Sequence, residues 1–152
     1  MDSLIRAREN EGAKLSVVMD GLVDEIDRLT REAAALSATQ PAQLREKLSA
    51  QIKELAAGVA VSEDRLAQEV ALLAVKADIR EELDRLGAHV QEARTLMASG
   101  TAVGRKLDFL AQEFNREANT LCSKSTDIAL TRTGLALKAT IDQFREQAQN
   151  VE

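Results

Sequence analysis

The sequence has 152 residues, of which 45% are apolar and only 2% aromatic, and its formal net charge at pH 7 is −5. Strong helix formers dominate it, and one proline and few β-branched alternations leave little from which to build a sheet. The longest apolar run, residues 70–75, is far below the roughly 20 residues that a membrane span requires. We expect a single, soluble, all-α domain over residues 1–152.

Cysteine usage and charge constrain the compartment and the partners. Cys122 is the only cysteine, so an intrachain disulfide is excluded. This cysteine usage is compatible with a reducing compartment. Residues 1–6 lack the basic start and apolar run of a signal peptide, and we expect a cytoplasmic protein. The acidic excess lies in residues 1–100, because residues 101–152 carry seven basic and seven acidic residues. The composition therefore shows no basic footprint of a nucleic-acid-binding protein, and without Trp or Tyr a base-stacking platform is not expected.

The first two predicted helices form a hairpin. Asp2 and Ser3 can cap a first helix that runs to about Ser37, and its apolar residues recur every three or four positions. A turn follows, with Pro41 at the first position of a second helix that ends near Gly58. The first helix would be about 50 Å long.

Three more helices complete the chain. Ser62 caps a third helix, and its apolar stripe continues to a break at Gly100 and Thr101. A fourth helix spans about 103–121, and a fifth follows the capping residues 123–127. The stripe of the third helix is Leu66, Val70, Leu73, Ala77, Leu83, Leu86, Val90, Ala93 and Met97. Long helices with narrow apolar seams predict an elongated all-α bundle of about five helices, built from long antiparallel helical hairpins. A thin bundle leaves apolar surface for other copies, so we expect a homo-oligomer; a monomeric bundle with frayed ends is the alternative.

One polar stripe on the third helix has residue types that bind metals. Its members step by four, three, four and three, which places them on one helix face: Asp78, Glu82, Arg85, His89 and Glu92. Carboxylates with an imidazole suit a divalent cation. Glu82 and His89 are about 10 Å apart along the axis, so one ion would need a bend or a second helix to reach both. A solvated face with weak salt bridges is the alternative, and spacing alone favours it.

The fourth helix carries two polar stripes side by side. One consists of Asp108, Gln112, Asn115 and Asn119, and the other of Glu113, Glu117, Thr120 and Lys124. Asparagine is a poor residue for a helix interior, because its side chain competes for backbone hydrogen bonds. Two of them at i,i+4 indicate a hydrogen-bonded polar layer. Such a layer would either fix the register of the helices or form a functional site.

The same helix contains a segment that resembles a known family. The run Gly104-Arg105-Lys106-Leu107-Asp108-Phe109-Leu110, continued by residues 112–120 and 123–125, is similar to the signature of the YicC-like endoribonucleases. The stretch from Asp78 to His89, the end at 145–152, and residues 8–12 agree with that family as well. The similarity covers nearly the whole chain. It implies the C-terminal region of such a protein, and we expect the family's N-terminal domain, of comparable size, to be absent from these residues.

The resemblance implies a metal-dependent endoribonuclease acting on structured RNA as a homo-oligomer, commonly a hexamer, with no membrane or DNA partner. The implied ligands for Mn²⁺ or Mg²⁺ are Asp78, Glu82, Asp108, Glu113 and Glu117. The implied catalytic residues are Glu82, His89, Glu113, Arg116 and Glu117, with Asn119 as a further candidate. The metal would activate water, Arg116 would bind the scissile phosphate, and His89 would act as acid or base.

Three alternatives compete with this interpretation. In the first, the chain is a helical oligomerisation or interaction module and its polar stripes are structural. In the second, it clamps RNA without cutting it. In the third, it is a generic coiled-coil adaptor. An endoribonuclease region that needs its N-terminal domain would be folded and inactive alone. Its acidic first hundred residues also make autonomous RNA binding harder, since affinity depends on neutralising phosphates.

Overall fold

The computed structural model describes residues 2–55, 62–99 and 103–151, and within them it contains helices and no strand. The helices are α1 (Asp2–Ser37), α2 (Gln40–Leu55), α3 (Glu63–Lys76), α4 (Arg80–Ala98), α5 (Gly104–Lys124) and α6 (Ile128–Ala148). The predicted all-α class is confirmed. The expected helix end at Gly58 and the expected break at Gly100 and Thr101 lie outside the described residues.

Four helices enclose the core: the second half of α1 together with α4, α5 and α6. Helix α5 packs against α4 and α6, and α1 closes the group by packing against the same two helices. The rings of Phe114 and Phe144 meet edge-on with centroids 5.7 Å apart, and both side chains are fully buried. Most other core residues are Leu, Ile, Val and Ala. The core therefore depends on many small aliphatic contacts, as the composition predicts.

The α5–α6 hairpin is fixed by two close approaches at glycines. A Cβ atom on Gly134 would lie 2.6 Å from Sγ of Cys122 and 3.0 Å from Cδ2 of Leu121. At the start of α5, a Cβ atom on Gly104 would collide with the backbone carbonyl of Val151. These two positions need glycine because the facing segment occupies the space that a side chain would fill.

The helix predicted to run unbroken over 62–97 is divided by a turn at 77–79. Oδ1 of Asp78 accepts a hydrogen bond from the backbone N–H of Arg80 at 3.0 Å and so satisfies a free donor at the start of α4. The apolar stripe itself signals the turn, since six positions separate residue 77 from Leu83. Asp78 consequently precedes α4 and does not share a helix face with the residues that follow it.

Helices α2 and α3 form a hairpin at the side of the four-helix core. They pack mainly against each other. Helix α3 has no buried residue, and among the described side chains of α2 only Gln40 and Leu44 are buried. The hairpin is thus an arm with little apolar attachment to the core.

The first third of α1 extends beyond the core. Residues 2–14 are all exposed, including Leu4 and Ile5, and the first half-buried side chain is Leu15. The accessible surface of the chain is 10062 Å², compared with about 7,500 Å² for a compact monomer of this mass. The molecule is therefore elongated. None of the helices in the described part of the chain is long and apolar enough to cross a membrane.

Candidate functional site

The polar residues that the sequence analysis singled out meet where α4 packs antiparallel against α5. Helix α4 contributes Glu82, Arg85 and His89, and α5 contributes Glu113, Glu117 and Lys124; we call these six residues the α4–α5 seam. They face each other because each helix places its apolar stripe towards the core and its polar residues beside that stripe. The seam has a closed end near Lys124 and an open end near Glu113.

At the closed end, Glu82 is buried, with a side chain only 3% exposed. Its Oε1 accepts a hydrogen bond from Nζ of Lys124 at 2.7 Å, and the same ammonium donates to the backbone carbonyl of Asp78 at 3.1 Å. Nη2 of Arg85 lies 3.7 Å from Oε1 of Glu82. Oε2 of Glu82 is buried and has no hydrogen-bond partner among the described residues. A buried carboxylate needs such cations, because desolvation otherwise disfavours its charged form.

In the middle of the seam, Glu117 is buried in the same way. Its Oε1 accepts a hydrogen bond from Nε of Arg85 at 2.8 Å, and its side chain is 5% exposed. The hydrogen bond to Glu117 raises the pKa of the Arg85 guanidinium, with smaller contributions from the charges of Glu117, Glu82 and Glu81. Arg85 therefore joins the two buried carboxylates across the helix interface, a role that its position in the sequence did not reveal.

At the open end, His89 packs its imidazole edge-on against Phe114, with ring centroids 5.9 Å apart. Its Nδ1 lies 3.9 Å from Oε2 of Glu92, a distance too long for a hydrogen bond. Its Nε2 is buried without a hydrogen-bond partner in the described part of the chain. Nδ1 is therefore the ring nitrogen that remains open to a hydrogen bond with another molecule.

His89 lines a pocket of about 280 Å³ between α4 and the first turns of α5. The other lining residues are Glu92, Arg105, Lys106, Phe109, Leu110 and Glu113; we call this the His89 pocket. In the described residues, neither the two basic side chains nor Glu113 forms an ion pair, and Phe109 is 62% exposed. The pocket thus combines an imidazole, a carboxylate, two cations and an exposed aromatic ring.

The remaining predicted acidic residues lie elsewhere. Hydrogen bonds from the Arg80 side chain and backbone lower the pKa of Asp78 from 3.8 to about 2. Asp108 accepts hydrogen bonds from Nε of Arg145 at 3.2 Å and from Nε2 of Gln112 at 3.3 Å. Both carboxylates are therefore held by local partners outside the seam.

The predicted metal ligands do not converge. The described residues contain no group of three or more His, Cys, Asp or Glu side chains placed to hold an ion. Four of the five predicted ligands are paired with a cation: Asp78 with Arg80, Glu82 with Lys124, Asp108 with Arg145, and Glu117 with Arg85. Glu113 alone of the five has no such partner in the described part of the chain. The donor set in this chain does not by itself fit a divalent metal.

The predicted amide layer on α5 lies largely at the surface. Gln112 and Asn119 are exposed and Asn115 is half-buried, and the only amide hydrogen bond described there joins Gln112 to Asp108. Arg116 is also exposed and lies outside the lining of the His89 pocket. The polar contacts that do cross the helix interface are ionic, because Glu117 and Lys124 point towards α4.

No role was predicted from the sequence for Phe109, Arg105 or Lys106. A signal was present: Leu107, Leu110 and Phe114 follow the apolar spacing of α5, and Phe109 falls outside it. An aromatic residue off the apolar stripe of a helix is expected at the surface.

Comparison with known proteins agrees with the resemblance read from the sequence. The family described as "Endoribonuclease YicC-like, C-terminal" matches residues 33–152. A relative from Haemophilus influenzae named "Probable endoribonuclease YicC" is 41% identical over 155 residues, covering 100% of this chain and 52% of the relative. One of the same name from Clostridioides difficile is 39% identical over 155 residues, covering 99% and 53%. The chain spans about half the length of the curated relatives it matches, and the predicted resemblance is confirmed.

Proposed function

Because the chain belongs to the YicC-like endoribonuclease family, as its C-terminal region, we propose that it contributes to a metal-dependent endoribonuclease that cuts structured RNA. Its relatives carry the name of a probable endoribonuclease, and the chain aligns with about half of each. The observation within the chain that supports a chemical role is the His89 pocket, where groups able to transfer protons and to bind phosphate lie together without mutual ion pairs.

Two residues of the pocket have the chemistry that phosphodiester cleavage requires. His89 can act as general acid or base through Nδ1, because an imidazole nitrogen can accept or donate a proton and Nε2 is buried. Glu113 supplies a carboxylate that accepts a proton or orients the attacking hydroxyl. Arg105 and Lys106 offset the negative charge that grows on the phosphate oxygens as the bond breaks.

Glu82 and Glu117 act by positioning α4 against α5. Both carboxylates are buried and already paired with Lys124 and Arg85, so neither has a free face towards substrate. Their contacts fix the register that brings His89 and Glu113 to the same pocket. They are positioning residues in this proposal, whereas the sequence interpretation made them catalytic.

Metal dependence enters the proposal only through the family resemblance, because the described carboxylates of this chain do not fit a divalent cation. Four of the five acidic residues implied as ligands are already paired with a basic neighbour. The residues of this chain bind and orient the RNA and move the proton.

A second candidate function is assembly. The accessible surface of 10062 Å² and the exposed residues 2–14 of α1 leave apolar side chains such as Leu4 and Ile5 without a partner in the described chain. Contact with further copies would cover them, which is consistent with a homo-oligomer, a hexamer being the form implied by the resemblance. In this alternative, the α4–α5 seam is structural and the chain cuts no RNA.

Cleavage of an internally labelled, end-blocked structured RNA tests the proposal. The chain is assayed with Mn²⁺, Mg²⁺ or EDTA beside Glu113→Gln, His89→Gln and, as matched control, Glu69→Gln, which changes an exposed glutamate on α3. We expect metal-dependent internal cuts that fall by about 10²-fold or more in the two pocket variants, since general acid–base catalysis contributes that much. The control should cut normally, and all variants should keep the wild-type melting temperature.

A well-folded chain that cuts no RNA under any metal would contradict a self-sufficient site; the chain would then serve assembly or need the family's N-terminal domain for cleavage. Cutting that is equally fast in Glu113→Gln and His89→Gln would place the chemistry outside the His89 pocket.

A further inference from the structure

The rim of the His89 pocket carries a row of three chemically different side chains. Arg105, Phe109 and Glu113 succeed one another at intervals of four residues on α5, so they lie along one helix face with about 6 Å of axial rise between neighbours. Lys106 widens the basic end of the row. The order along the helix is therefore cation, aromatic ring, carboxylate.

Phe109 lies in the middle of this row with 62% of its surface exposed. The other two phenylalanines of the chain, Phe114 and Phe144, are fully buried and stack edge-on in the core. A ring left in water forgoes the free energy that its burial would contribute. Its position above a pocket gives the ring a face for a flat ligand.

The cations beside Phe109 are not used within the described chain. Of the other basic residues on α4 and α5, Arg80, Arg85, Arg94 and Lys124 each have an acidic partner within 4 Å, whereas Arg116 has none in the described part of the chain. Neither Arg105 nor Lys106 has one in the described part of the chain, and both are exposed. Two unpaired cations in consecutive positions suit an anion such as a phosphate.

The chemistry of the row fits one nucleotide of a single strand. A phosphate suits the basic end, a base can stack on the ring, and the polar groups of the sugar or base can reach His89 and Glu113. A base within a duplex is already stacked on its neighbours, so the ring can receive only an unpaired one. An acidic protein segment would use the cations but has no reason to cover the ring.

We infer that the His89 pocket is a subsite for one unpaired RNA nucleotide, its base stacked on Phe109 and its phosphate bound by Arg105 and Lys106. This inference rests on the proposed function and specifies it: the cut would fall next to an unpaired residue of a structured RNA. It also revises the expectation, drawn from the lack of Trp and Tyr, that the chain has no stacking platform.

Fluorescence gives a direct test, because the chain contains no Trp or Tyr. Phe109→Trp places a single indole at the rim, and Leu135→Trp, at an exposed apolar residue of α6, is the matched control. A short single-stranded oligoadenylate is added in EDTA, so that binding is observed without cleavage. We expect stacking to quench the indole of Phe109→Trp in a saturable manner and to leave that of Leu135→Trp unchanged.

Affinity measurements with the same oligonucleotide, labelled and followed by anisotropy, separate the two contacts. Phe109→Ala should weaken binding by at least about fivefold, the low end for one stacked base, while Phe109→Trp retains it. Arg105→Ala and Lys106→Ala should each lower the slope of log affinity against log salt by about 0.7, as expected for a phosphate contact on a single strand. Arg132→Ala, an exposed arginine on α6, is the control that should leave the slope unchanged.

The inference is overturned if oligoadenylate leaves the indole of Phe109→Trp unquenched, or if polyglutamate quenches it equally well. It is also overturned if Phe109→Ala changes the sedimentation of the chain and leaves its RNA affinity as before, because the ring would then belong to a protein contact. RNA cleavage that persists in Phe109→Ala with normal rate and affinity would remove the subsite while leaving the proposed function intact. Normal quenching by a chain that cuts no RNA would keep the nucleotide subsite and contradict the proposed function.

Discussion

At the scale of single residues, the buried carboxylates of Glu82 and Glu117 are the most constrained groups of the site. Each has lost most of its hydration, and each is compensated by one cation from the opposite helix. Removing one partner of such a pair leaves an uncompensated buried group, which costs more than the pair itself contributes. The pairs therefore hold α4 and α5 in a single register.

Replacement of Glu82 by glutamine measures this constraint. The amide keeps the shape but removes the charge facing Lys124, and we expect Glu82→Gln to lower the free energy of unfolding by about 1–3 kcal/mol. Glu81→Gln is the matched control, because the side chain of Glu81 is 84% exposed and its contact with Arg85 is 3.6 Å long. It should change stability by less than about 0.5 kcal/mol. Urea unfolding followed by circular dichroism gives both values.

The opposite outcome would be equally informative. Unchanged stability of Glu82→Gln together with lost RNA cleavage would assign this carboxylate to the reaction, as the resemblance implied, and would withdraw its positioning role.

At the scale of helices, the close approach of α5 and α6 sets the geometry behind the site. Gly134 permits it, since Cys122 and Leu121 fill the space beside its Cα. Burial of the Cys122 thiol raises its pKa, which keeps it in the neutral form that suits this apolar contact. The α4–α5 seam lies on the other side of α5, so the packing of α5 against α6 sets its position.

A pair of glycine substitutions tests the close approach. Gly134→Ala should lower the free energy of unfolding by about 1–3 kcal/mol, because the added methyl group overpacks the α5–α6 interface. Gly21→Ala is the control: a Cβ there meets nothing within 4 Å, so the helix propensity of alanine should raise stability by up to about 1 kcal/mol. Thermal unfolding of both variants would show changes of opposite sign. Equal shifts would mean that α6 moves away from α5 without cost.

At the scale of the whole molecule, the chain exposes more surface than one compact domain of its mass. The projecting residues 2–14 of α1 and the α2–α3 arm account for this form, since neither is packed into the four-helix core. Exposed apolar residues on such extensions are typical of surfaces that contact another molecule.

Sedimentation velocity tests whether that molecule is another copy. We expect the chain to form a homo-oligomer, and Leu4→Lys combined with Ile5→Lys to shift it to smaller species with unchanged helix content. Leu135→Lys, at a residue that is 54% exposed on α6, should leave the assembly as it is. A monomer at every concentration would contradict the assembly role of this chain.

Part of this architecture was predictable from the sequence and part was not. The apolar spacing located the helices. The interruption of the apolar stripe between residue 77 and Leu83 marked the turn that the prediction overlooked. Stripe analysis placed Glu82 and His89 on one face, and both do belong to the seam. It did not predict that Lys124 and Arg85 would neutralise the acids, nor that Phe109 would face solvent.

The sequence by itself determined the helical class, the aliphatic core and the family, because composition, apolar period and motif are local properties of the chain. Only the tertiary structure decided which carboxylates are paired and which remain free. That outcome depends on the register between helices, where Glu82 meets Lys124 while Glu113 faces an open pocket. Spacing within one helix carries no information about the side chains of the next, since their meeting is set by how the two apolar faces interlock.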